Sequence, residues 1–92
     1  MSVSVRIPTI LRTYTDNQST VALEVEGTLA DVISALEVAA PGISARILDD
    51  SGQLRRFVNV FIGEEDVRFL DGLATVIPAG ASVSIIPAVA GG

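Results

Sequence analysis

The sequence predicts an α+β domain in which a mixed sheet of about five strands carries one main helix on one face. Three observations lead there. Several short stretches alternate apolar and polar residues with the period of a strand. One stretch has the i, i+3, i+4, i+7 apolar spacing of an amphipathic helix, with a start signal before it and Pro41-Gly42 after it. The chain has 92 residues, which is enough for one thin hydrophobic core.

Val3, Val5 and Ile7 alternate with Ser2, Ser4 and Arg6, a half-buried strand ended by Pro8. Val21, Leu23 and Val25 alternate with polar or small neighbours and are closed by Gly27. The polar run from Thr15 to Ser19 lies between them, so the two strands form an antiparallel hairpin with a long loop. Thr28 is a good N-cap, and Asp31 stands where its carboxylate can reach back, a capping box with Asp in place of Glu. Leu29, Val32, Ile33 and Leu36 then make one apolar stripe. Ile43, Ile47 and Leu48 suggest a short irregular or helical piece, and Asp49 to Gly52 a turn. Arg56 to Ile62, rich in β-branched and aromatic residues, is the best strand in the chain. A tight turn at 63–66 leads to a short strand holding Val67 and Phe69. Leu70 to Ala81, with Gly72, Pro78 and Gly80, reads mostly as loop, and Val83 to Pro87 as the last strand. The first and last strands are expected side by side and parallel at the sheet centre. The domain boundary falls at 1–87, with an extended, flexible tail at 88–92.

Composition narrows the function. Hydrophobic residues make up 49% of the chain and charged residues 18%, which is too apolar for a disordered segment. The apolar runs are short and interrupted, so no membrane-spanning helix fits, and the alternating start lacks the apolar block of a secretory signal. The chain is expected to be soluble and cytoplasmic. Six Arg against eleven acids give a net charge of −5, the wrong sign for nucleic acid. There is no Cys, His or Lys. Thiolate nucleophiles, Cys- or His-ligated metal, a neutral-pH general base and Schiff-base chemistry are therefore absent. The acidic runs Asp49-Asp50 and Glu64-Glu65-Asp66 lack the alternating ligand spacing of a calcium loop and read as solvated turns. No metal site and no catalytic residue is expected. Arg55, Arg56 and Arg68 could pair with acids on a partner, but read better as solvated charges, and Arg12 suggests no strong role.

The end of the chain has two readings. A run of small residues closing on Gly91-Gly92 is either a frayed terminus or a probe. As a probe, the six residues from Pro87 to Gly92 span roughly 20 Å when extended. Ala88, Val89, Ala90 and Gly91 would thread a narrow channel in a partner, with Val89 as the one sizeable side chain. Glycines without Cβ let the channel walls close on the backbone. The reactive group would be the α-carboxylate of Gly92. A carboxylate is a poor acyl donor, so it would need activation, and adenylation by ATP on a partner enzyme is the usual route.

The order of elements, the proline before the tail and Ala88-Val89-Ala90-Gly91-Gly92 resemble the ubiquitin-like sulfur carrier family, which includes MoaD, ThiS and CysO carriers. Ile7 to Arg12, Arg56 to Val60, Glu65 to Phe69, Gly72 to Thr75 and Pro87 to Gly92 read most like its CysO branch, which serves cysteine synthesis from O-phosphoserine. The resemblance spans essentially the whole chain. It implies a β-grasp (ubiquitin-like) fold and a carrier with no catalytic activity and no bound cofactor. An E1-like adenylating and sulfurtransferase enzyme would use ATP to convert the Gly92 carboxylate to a thiocarboxylate. A PLP-dependent cysteine synthase would take the sulfur, and a zinc-dependent peptidase would release cysteine. The alternatives are sulfur delivery to molybdopterin, thiamine or a sulfur-containing secondary metabolite, or a ubiquitin-like protein modifier joined through Gly92.

Strand alternation also places a docking surface. With Val58, Val60 and Ile62 toward the helix, Phe57, Asn59 and Phe61 face the other way, and Ser84 and Ile86 join them from the last strand. Phe57, Phe61 and Ile86 would then form an apolar patch beside the tail root.

Overall fold

A computed structural model describes residues 2–87. Strands β1 (Ser2–Arg6) and β2 (Thr20–Glu24) form the expected antiparallel hairpin, with Val3 opposite Leu23 and Val5 opposite Val21. A two-residue strand, β3 (Gly27–Thr28), precedes helix α1 (Leu29–Ala39) and a single turn, α2 (Ser44–Ile47). Then come β4 (Val58–Ile62), β5 (Glu65–Asp66), β6 (Val76–Ile77) and β7 (Ser82–Pro87). The main sheet has the order β2-β1-β7-β4-β5. β7 lies at its centre, parallel to β1 and antiparallel to β4. This is the mixed five-stranded β-grasp sheet.

The core lies between α1 and one sheet face. Leu29, Val32, Ile33 and Leu36 meet Val3, Val5, Val58, Val60, Val83 and Ile85, and all are buried. Ile43, Ile47 and Val67 close its ends. Burying an aliphatic side chain of this size contributes about 1.5–3 kcal/mol, so this alternation holds the register of every long strand.

Helix α1 starts at the capping box. The Asp31 N–H donates to Thr28 Oγ1 at 3.4 Å, and the Thr28 N–H donates to Asp31 Oδ2 at 2.9 Å. At the far end, the Gly42 and Ser44 N–H groups donate to the Glu37 carboxylate at 2.8 and 2.9 Å, tying the chain leaving α1 to the start of α2.

Two local expectations need correction, and two loops contain short elements. The β1–β2 connection contains a 3-10 segment, Thr9–Thr15, with Pro8 before it and a left-handed turn at Asp16 and Asn17 after it. Arg56 and Phe57 precede β4 in a turn closed by the Val58 N–H on the Arg55 carbonyl. Val67 and Phe69 are not in a strand: Glu65–Asp66 pairs with β4, and Val67–Phe69 is a 3-10 turn. The Asp66 side chain accepts from the Arg68 N–H, which starts that turn. Val67 is consequently buried while Phe69 is 88% exposed, a separation that a strand would not produce. The stretch 70–81 is mostly loop as expected, and within it β6 pairs antiparallel with β3 in a second, two-stranded sheet beside α1.

Candidate docking site at the tail root

The site is built on β7. β1 pairs with β7 as far as Ser84 and β4 pairs with it as far as Pro87, so the β4 ladder sets the positions of the last residues of β7. Pro87 stands opposite Val58, Ile86 opposite Asn59 and Ser84 opposite Phe61. Directly paired residues share a face. Ile86, Asn59, Ser84 and Phe61 therefore lie on the face away from α1, while Ile85, Val60, Val83 and Val58 are buried. Arg6 of β1 is opposite Ser84 and extends this outer face to the other side.

The candidate patch residues sit as follows. Phe61 is half-buried in β4, Ile86 is 47% exposed near the end of β7, and Phe57 is 54% exposed in the turn before β4. Phe57 thus belongs to the rim of the sheet rather than to the strand. Ala88, Val89, Ala90, Gly91 and Gly92 lie outside the described residues, so the tail and its flexibility are not described by the structure.

Two features of the site are not visible in strand periodicity. The first is Arg68. Its Nη1 donates to Asn59 Oδ1 and its Nη2 to the Arg55 carbonyl, both at 2.6 Å. This guanidinium bridges the turn before β4 to the outer face of β4, so a fixed cation stands beside Asn59. The lone amide in an otherwise apolar strand was the signal available in the sequence. The second is a cleft of about 470 Å³ next to Pro87. Arg6 and Arg12 line it, together with Ser84, Ile86 and the β2 start at Thr20. The Arg12 Nε–H donates to the Ile7 carbonyl at 3.1 Å, which sets that side chain against the cleft wall.

The acidic runs behave as local turn devices. Asp49 accepts from the Ser51 hydroxyl at 2.6 Å and from the Ser51 and Gln53 N–H groups at 2.9 and 3.1 Å. These bonds, the Ser51 hydroxyl first, hold its carboxyl below the usual carboxylate range. No cluster of three or more metal-ligating side chains occurs among the described residues. No helix among them is long and apolar enough to cross a membrane.

The sequence matches the ThiS family over residues 5–92. It is 54% identical to the sulfur carrier protein CysO of Mycobacterium tuberculosis H37Rv over the full length of both chains. The crystal structure of M. tuberculosis CysO superposes with a TM-score of 0.89, at 53% identity, covering 95% of this chain and 99% of that one. A chain of the Amycolatopsis orientalis BexX/CysO complex superposes with a TM-score of 0.90, at 42% identity, covering 98% and 99%. Fold and full-length similarity agree: the chain belongs to the ThiS family of ubiquitin-like sulfur carriers.

Proposed function

We propose that this chain carries sulfur for cysteine synthesis as a thiocarboxylate on Gly92 and is a co-substrate of its partner enzymes, not a catalyst. The observation that carries the reading is the full-length similarity to CysO, 54% identity with every residue of both chains covered. The architecture supports it. The central strand ends at Pro87, four residues before the Gly91-Gly92 pair, so the root of the tail is held at the sheet centre. The chain has no Cys, His or Lys, so its own side chains offer no thiolate, imidazole or amine to divert an activated carbonyl.

The steps balance as follows. A Gly92 carboxylate oxygen attacks the α-phosphorus of ATP on an E1-like enzyme, and pyrophosphate leaves. Hydrosulfide, or a donor equivalent to it, attacks the acyl carbon, forming a C–S bond and releasing AMP. The thiocarboxylate sulfur then adds to the β-carbon of an aminoacrylate held by a PLP-dependent synthase, giving a thioester. The amine of the new amino acid attacks that thioester, and the acyl group moves from sulfur to nitrogen. A zinc-dependent peptidase hydrolyses the amide, returning the Gly92 carboxylate and free cysteine. The protein body contributes position, since each enzyme must admit the tail and exclude water around it. Phe57, Phe61 and Ile86 form the apolar part of the surface that partners grip. The BexX/CysO complex supports docking by the carrier body in general, because there a carrier of the same fold is bound to another protein.

The test is intact-protein mass after incubation with ATP, sulfide and an adenylating enzyme. The expected result is the mass gain of one oxygen replaced by sulfur, lost completely on deletion of Gly92. A gain that survives the deletion, or a deletion variant that still supports cysteine synthesis in cells, overturns the reading.

A further inference from the structure

We propose that the cleft beside Pro87 is a carboxylate socket, in which Arg6 and Arg12 receive acidic side chains of the enzyme that takes up the C-terminal tail. The inference rests on the tail-insertion reading above. Its first ground is a charge imbalance. The chain has net charge −5 and eleven acidic residues, yet none of them lines this cleft, while two of its six arginines do. Hydroxyl residues Thr9, Ser19, Thr20 and Ser84 make up much of the remaining wall, adding hydrogen-bonding groups suited to an oxyanion.

The second ground is the state of the two guanidinium groups. Arg12 uses Nε on the Ile7 carbonyl, which orients the side chain and leaves its terminal nitrogens for another acceptor. Arg6 lies in the outer row of β1 between Thr20 and Ser84 and is exposed, and its guanidinium has no hydrogen-bond or ion-pair partner among the described residues. Arg46 and Arg55 likewise use Nε within the chain and Arg68 uses both terminal nitrogens, while the exposed Arg56 shares its surface pocket with Asp49. Arg6 and Arg12 are set apart by sharing one cleft that no acidic residue lines.

The third ground is position. Ser84, Ile86 and Pro87 are shared between the cleft and the tail root. An enzyme that draws the tail in and covers Ile86 must also cover the cleft. Two guanidinium groups removed from water without counter-charges oppose docking, whereas paired with carboxylates they fix orientation through forked hydrogen bonds. The rest of the body is acidic and repels an acidic surface. Such a surface therefore favours approach from this end, which aligns the tail with its channel during encounter.

The experiment measures steady-state thiocarboxylation of the full chain by its adenylating enzyme, read by intact mass over a range of carrier and salt concentrations. Arg6→Gln should raise KM for the carrier about tenfold with kcat within about twofold, and should flatten the rise of KM with salt. Arg6→Lys should recover much of the loss. Arg46→Gln, on the helix side, should match the unchanged chain. If Arg46→Gln and Arg6→Gln act equally, net charge rather than the socket is responsible and the proposal fails. It also fails if Arg6→Gln and Arg6→Glu, with unchanged melting temperatures, keep the original KM and salt profile. Saturable binding of inorganic phosphate by the free chain, shifting Arg6 and Arg12 resonances at submillimolar concentration, would assign the cleft to a small anion instead. Unchanged KM with a normal sulfur gain removes only the socket, whereas a gain that survives loss of Gly92 removes the carrier reading beneath it.

Discussion

Single side chains in this protein mostly complete hydrogen bonds that the backbone leaves open. Glu37 is the clearest case: its carboxylate accepts the Gly42 and Ser44 N–H groups just after α1. The Gly42 N–H, then the Ser44 hydroxyl and N–H, hold its carboxyl below the ordinary value. A native pKa lowered in this way contributes stability that is complete above the unfolded value and is lost as pH falls through the native one. Thermal melts between about pH 6 and pH 3 should therefore show a steeper acid fall for the natural chain than for Glu37→Gln. Asp49, lowered by Ser51 and Gln53, should keep some acid sensitivity in that variant. Identical slopes for the two proteins would contradict the assignment. The Thr28–Asp31 box was legible in the sequence because both partners lie within one helical turn. The Glu37 bonds were not, because they depend on how the chain reverses at Gly42, and nothing in residues 37–44 alone specifies that path.

At the scale of elements, periodicity identified what is long and half-buried, and missed what is short. β1, β2, β4 and β7 each run five or six residues and alternate, so packing against α1 could be read directly from them. The two-residue strands β3 and β6 have no period to read, and only their pairing defines them. Gly27 shows why that pairing constrains the chain. Its φ is +128°, and an added Cβ would collide with the Asp31 carboxylate that caps α1. Gly27→Ala should therefore lose both the backbone conformation and the cap, costing about 2 kcal/mol or more. Chemical denaturation should show a lower midpoint with little change in slope; an unchanged midpoint would refute the coupling. The Val67–Phe69 turn escaped the sequence reading for a related reason. Apolar residues two apart imitate a strand, and the Asp66 side-chain bond that starts the turn instead is local chemistry competing with the sheet.

Across the whole molecule, the two sheet faces are divided between stability and contact. One face is covered by α1 and sealed, and the other carries Arg6, Ser84, Phe61, Ile86 and the Arg68–Asn59 contact around the tail root. Phe61→Arg changes only the second face. It should weaken binding to the adenylating enzyme by roughly tenfold or more while moving the melting temperature by no more than about 2 °C. Calorimetry and a thermal melt decide this together, and unchanged affinity would remove Phe61 from the docking surface. A very exposed Phe69, away from the helix-covered core, marks a surface that alternation had placed within a strand.

Local residue types by themselves determined the long strands, the capped helix, the side of each long strand that enters the core, and a diglycine beyond a proline. These follow from period, capping and backbone freedom, which act within a few residues. Only the folded chain decided that β4 flanks β7 on the side away from β1, that Arg68 reaches Asn59, and that Arg6 and Arg12 line one cleft beside Pro87. Those contacts join residues far apart in the chain, and no local pattern encodes them because the free energy that selects them comes from burying α1 against the assembled sheet.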